Sequence, residues 1–153
     1  IDTSAGTVTN GINNYGILNG QVLLGSNTLN LLSSAEAVAT QPQVNGDITG
    51  AADSIVNIGS DSDATVFTSN GNTTVGNIDV ASGSTLALAS GADWAATSDT
   101  AGNINNNGTI RLADGTAAST ATIGASGAVI NNGSIDLTTF NDAGDTLSVS
   151  GNY

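Results

Sequence analysis

The stretch Asn105-Asn106-Asn107-Gly108-Thr109-Ile110-Arg111-Leu112 returns as Ile130-Asn131-Asn132-Gly133-Ser134-Ile135-Asp136-Leu137, with the two Asn-Gly steps 25 positions apart. Asn and Gly tolerate positive φ where β-branched residues do not. An Asn-Gly step followed by alternating apolar and polar residues therefore marks entry to a strand. Repetition at this spacing implies supersecondary units that stack and bury one another's faces. The near-copy predicts a repeating β scaffold, with function carried on its surface.

Weaker copies extend the pattern. Asn19-Gly20, Asn45-Gly46 and Asn70-Gly71 are 26 and then 25 residues apart, and Asn107 follows Asn70 after 37, where the turn signal is lost or the rung is longer. A second series, Ile78, Ile104 and Ile130, crosses that gap in two steps of 26. Together they predict an all-β parallel β-helix (solenoid) with about 25 residues per rung. At about 4.8 Å per rung, some six rungs span about 29 Å. No linker or charge run divides the chain, so residues 1–153 read as a single domain. Short strands with dense turns also fit an antiparallel sandwich, the alternative fold.

Period-two alternation assigns the inward positions. They are Ile78, Val80, Ile104, Ile110, Leu112, Ile130, Ile135, Leu137, Leu147 and Val149. Aligning Asn107 with Asn132 stacks Ile110 on Ile135, Leu112 on Leu137 and Arg111 on Asp136. Ala81-Ser82-Gly83-Ser84 and Gly124-Ala125-Ser126-Gly127 read as turns. Two stretches read as excursions from the coil, where binding residues often sit. One is residues 33–42, with the single Pro and single Glu; the other is residues 90–99, with the single Trp94.

Composition narrows the partners. Aromatic residues make up 3% and Met is absent, so the core is built of Ala, Val, Ile and Leu, which suits a narrow coil. One cation (Arg111) against 13 acids gives a net charge of −12, which excludes nucleic acid and attachment to anionic lipid by charge. No run of 18 apolar residues exists to cross a bilayer as a helix, so this segment does not insert directly into a membrane. Ile1 begins in strand-like sequence without a basic start, so the chain reads as an excised mature segment. The small share of charged residues (9%) and the lack of Lys, with abundant Asn, Thr, Ser and Gly, resemble a bacterial cell-surface protein.

The inventory also removes most chemistry. Without His, Cys or Lys there is no catalytic triad, no usual zinc or haem site and no Schiff base. Paired carboxylates are the one catalytic class left, with Asp61 and Asp63 at i,i+2 and Asn77 and Asp79 as a weaker pair. On a strand each pair shares a face. A solvated acidic turn is the plainer reading, so the sequence names no catalytic, cofactor-binding or metal residue. Calcium at Asp61 and Asp63 lacks both the nonapeptide β-roll repeat and an EF-hand loop. Asn72-Thr73-Thr74, Asn107-Gly108-Thr109 and Asn132-Gly133-Ser134 match the N-glycosylation pattern, but turn formation accounts for the last two. Thr7-Val8-Thr9 and Thr120-Ala121-Thr122 are too isolated for an ice-binding face of Thr ranks.

The repeats 104–110 and 130–135, and more so the ending Leu147-Ser148-Val149-Ser150-Gly151-Asn152-Tyr153, resemble passenger regions of bacterial type V autotransporters near the C-terminal part of the β-helix. The resemblance implies a right-handed coil exposed on a Gram-negative cell, anchored through an outer-membrane barrel that lies outside this chain. It implies adhesion, aggregation or biofilm formation. The protease motif Gly-Asp-Ser-Gly of many members is missing. The expected function is therefore a non-enzymatic adhesin segment without cofactor, self-associating or binding a host surface protein or glycan. The alternatives are a carboxylate-dependent polysaccharide hydrolase or lyase, for which Arg111 is the one cation, and a pure structural stalk.

Overall fold

The computed structural model describes residues 1–34, 41–60, 62–112, 119–136 and 145–152. The strands run in chain order as β1 (Ile12–Asn14), β2 (Ile17–Asn19), β3 (Val22–Leu23), β4 (Thr28–Leu31), β5 (Gln43–Asn45) and β6 (Ile48–Thr49). They continue with β7 (Ile55–Ile58), β8 (Val66–Ser69), β9 (Thr73–Val75), β10 (Asn77–Val80), β11 (Thr85–Leu88) and β12 (Asp93–Ala96). The last are β13 (Ile104–Asn106), β14 (Thr109–Leu112), β15 (Thr120–Asn131), β16 (Ser134–Asp136) and β17 (Thr146–Asn152). Each strand pairs in parallel with the strand one rung away, so the chain winds as a three-sided β-solenoid. It makes about five turns, with roughly 25 residues between rungs. β1, β4, β7, β10, β13 and the end of β15 form the first side. β2, β5, β8, β11, β14 and β16 form the second. β3, β6, β9, β12, the start of β15 and β17 form the third.

Columns of inward side chains fill the coil. On the first side Leu29, Val56, Ile78, Ile104 and Val129 stack in register and are all buried. On the second, Phe67, Leu86 and Ile110 are buried, and Ile135 packs half-buried on the same column. On the third the column is Val22, Ile48, Thr73, Trp94, Ile123 and Val149. Each fully buried Val, Leu or Ile contributes about 1.5–3 kcal/mol. Arg111 lies opposite Asp136 as the near-copy implied.

Several expectations need correction. Ile130 is outward and 43% exposed, and Val129 takes the inward place. The step from Ile104 is 25 residues here, not 26, and a one-residue slip turns every side chain to the other face. The stretch around Trp94 is no excursion: it is β12, and Trp94 is fully buried. Gly124–Gly127 is not a turn but part of β15, which stays extended as it passes from the third side to the first, with a register shift between Gly124 and Ala128. Leu147, Val149 and Ile135 are inward but only partly buried. Leu137, Ala35–Thr40 and Asp61 fall outside the described residues.

The 37-residue gap has a geometric cause. Asn19-Gly20 and Asn45-Gly46 end β2 and β5, and Asn70-Gly71 follows β8, at the corner between the second and third sides. Asn107-Gly108 and Asn132-Gly133 follow β13 and β15, at the corner between the first and second sides. The two sets mark different corners of one coil. At both corners the chain passes so close to the rung below that a side chain does not fit: a Cβ on Gly71 or on Gly133 would overlap the carbonyl oxygen of Gly46 or Gly108. Gly133→Ala is therefore expected to cost about 1–3 kcal/mol by overpacking against backbone, read as a lower urea midpoint.

Candidate binding groove

The corner between the first and second sides has connections of very different lengths. Two residues suffice after β1, β13 and β15, but residues 32–42, 59–65 and 81–84 intervene after β4, β7 and β10. The described ends of these connections lie beside Asn30, Asn57 and Asp79 of β4, β7 and β10. They wall a groove of about 520 Å³, within the range of ligand sites. Its floor carries Asn30, Asn57 and Asp79, and its wall includes Leu32, Ser60 and Ala81.

The floor residues arise from a repeated triplet. Leu29-Asn30-Leu31, Val56-Asn57-Ile58 and Ile78-Asp79-Val80 each bury the outer two side chains and turn the middle one outward. Register stacks the middle residues as Asn13, Asn30, Asn57, Asp79 and Asn105. Asn30 Nδ2 donates to Asn13 Oδ1 (2.7 Å) and Asn57 Nδ2 to Asn30 Oδ1 (2.8 Å). Asn105 Nδ2 donates to Asp79 Oδ1 (2.6 Å), a charge-assisted bond. This triplet was readable in the sequence, but the Asn-Gly steps drew the reading to the corners instead.

The neighbouring ranks are structural. Asn77 Oδ1 accepts from the Asn103 N–H (3.0 Å), and Asn103 Oδ1 from the Ala128 N–H (2.9 Å). Asn106 is buried at the corner: its Oδ1 accepts from the Gly108 N–H (3.2 Å), and its Nδ2 donates to Asn131 Oδ1 (2.6 Å) and the Ser134 carbonyl (2.9 Å). Asn106→Ala strands these groups and is expected to cost about 1–3 kcal/mol in chemical denaturation. Across the second corner, Asp47 Oδ1 accepts from the Asn72 N–H (2.9 Å), Asn72 Oδ1 from the Asp93 N–H (3.0 Å), and Asp93 Oδ1 from the Thr122 hydroxyl (2.5 Å). Asp2, which does not line the groove, is held below the ordinary carboxylate value by the Ser4 hydroxyl and the Ser4 N–H.

Of the acids singled out in the sequence, Asp61 lies outside the described residues. Asp63 lies in a tight turn, not a strand: its backbone exchanges hydrogen bonds with Ser60 (3.2 and 3.1 Å), so the strand rule that paired it with Asp61 does not apply. Asn77 and Asp79 do share the outward face of β10, and Asp79 is the single carboxylate among the described residues lining the groove. Arg111 is on the second side, with Nη1 donating to the Leu112 carbonyl (3.0 Å). Thr120 and Thr122 stack outward on Thr146 and Ser148. The rung on the other side presents Asp93 opposite Thr122, so this hydroxyl array stops there. Among the described residues no group of three potential metal-binding side chains forms, and no helix is long and apolar enough to cross a membrane. Comparison with models of protein families, with curated proteins and with solved structures finds no match in any of the three.

Proposed function

We propose that this chain is a non-enzymatic interaction segment of a bacterial surface adhesin of the autotransporter kind, joining cells through contacts between copies of itself. The observation that carries this reading is the outward surface of the third side and of its corner with the second: in-register ranks of Asn, Thr and Ser, periodic along the coil and nearly devoid of positive charge. Thr49 and Thr74 stack in register and are exposed, as are Thr120 and Thr122. Neutral donors and acceptors repeating at the rung spacing suit pairing with a like surface. The passenger-like ending forms β17, which continues the third side in parallel with β15.

Charge sets the salt response. Two copies at −12 repel, and at 0.1 M ionic strength screening shortens that repulsion to about 10 Å. Self-association is thus expected to strengthen from low to moderate salt, measured as clumping of non-adherent cells displaying the segment. Attachment to a basic host protein would weaken over the same range. Absence of clumping at every salt concentration would leave the stalk reading in its place.

A further inference from the structure

The polarity of the amide ranks singles out one step in the groove. In the first-side rank, Asn30 donates to Asn13 and Asn57 to Asn30, each amide toward the preceding rung. The same sense recurs in Asn45 to Asn19 (2.8 Å), Asn70 to Asn45 (3.1 Å) and Asn132 to Asn107 (3.1 Å). Asn106 reverses it because the Gly108 N–H occupies its Oδ1. Each amide oxygen in this sense waits for a donor on the following rung.

The residue following Asn57 is Asp79, and a carboxylate has no donor. Asn57 Oδ1 and the Asp79 carboxylate therefore meet across one rung step, acceptor against acceptor. Among the described residues no group donates to Asn57 Oδ1. Both side chains are half-buried on the floor of the groove. Two acceptors one rung apart, one of them charged, match an N–H donor that carries positive charge.

We infer that this step is a binding site for the cationic head of a lysine or arginine side chain from a basic partner protein. A second copy is a poor source, since the chain has no Lys and its one Arg111 lies on the second side opposite Asp136. The net charge of −12 would steer a basic partner toward the coil. The inference rests on the reading of the chain as a binding module, but it uses a different surface from self-association.

The test combines thermal melting with NMR of the Asn57 and Asn105 side-chain amides during titration with decalysine, with fully Nε-acetylated decalysine as control. Decalysine is expected to shift both resonances, and the acetylated peptide to leave them in place. Asp79→Asn should abolish the shifts and raise Tm by about 2–4 °C, because the new amide donates to Asn57 Oδ1 and closes the rank. Asp79→Ala should abolish the shifts without raising Tm. The site is overturned if Asp79→Asn leaves Tm unchanged, the result expected when the amides run in the opposite sense and Asn57 already donates to Asp79. It is also overturned if the shifts survive either substitution, or if calcium chloride at matched ionic strength reproduces them. Clumping of displaying cells should be the same for wild type and Asp79→Asn. Loss of clumping in both would reject self-association and leave the cation site standing.

Discussion

Trp94→Ala is expected to lower the unfolding free energy by about 3–5 kcal/mol, among the largest losses from any single substitution in the chain. Trp94 is fully buried on β12, and its column neighbour Thr73 is small. Its ring lies 5.9 Å from that of Phe67 with the planes inclined by 55°, a favourable tilted pair. The indole N–H donates to Ser69 Oγ (2.8 Å), and Ser69 Oγ in turn donates to the Gly71 carbonyl (2.7 Å). Truncation therefore opens a cavity in the middle of the coil and removes the donor to Ser69 Oγ. Urea titration followed by circular dichroism measures the loss. Trp94→Phe should recover most of the packing and cost less. A loss below about 1 kcal/mol for Trp94→Ala would put the side chain on the surface, as the sequence suggested.

The second large effect separates two members of one column. Ile110→Ala is expected to cost about 2–5 kcal/mol, because Ile110 is fully buried between Leu86 and Ile135. Ile135→Ala should cost about half as much, since Ile135 is only partly buried. Asp136→Ala, at an outward position on the next strand residue, should cost no more than about 1 kcal/mol. The order Ile110, Ile135, Asp136 is the signature of this register. Equal losses at Ile110 and Asp136 would mean that the strand is turned the other way.

The fold was legible because the near-copy at 105–112 and 130–137 combines a turn signal with period-two alternation, and the two together define a rung. The register of Ile110 on Ile135 and Arg111 on Asp136 followed directly. Counting failed where corner lengths vary. Along the first side the steps from Leu29 to Val56, Ile78, Ile104 and Val129 are 27, 22, 26 and 25 residues, so a fixed period drifts by a residue or more. In a strand one residue is the difference between core and solvent, which is how Ile130 was misplaced and Val129 overlooked. Trp94 misled for another reason. The single Trp lies in an Ala- and Ser-rich stretch that reads as an excursion from the coil, whereas its polar edge is satisfied inside by Ser69.

The groove was less legible. Asp79 was noticed as a carboxylate two residues from Asn77, but its register neighbours are Asn57 and Asn105 on the adjacent rungs, 22 positions earlier and 26 later. Sequence distance hides such pairs until the rungs are aligned. Once they are, the recurrent apolar-Asn-apolar triplet makes Asp79 stand out as the one acid in a rank of amides.

The most direct test of the proposed interaction role is clumping of non-adherent cells that display residues 1–153, followed from about 0.02 to 0.15 M salt, where screening lengths fall from roughly 20 Å to 8 Å. Clumping that rises with salt, with no turnover of a polysaccharide panel, is the predicted result. Polysaccharide cleavage that Asp61→Asn or Asp63→Asn abolishes, in cells that do not clump at any salt concentration, would contradict it.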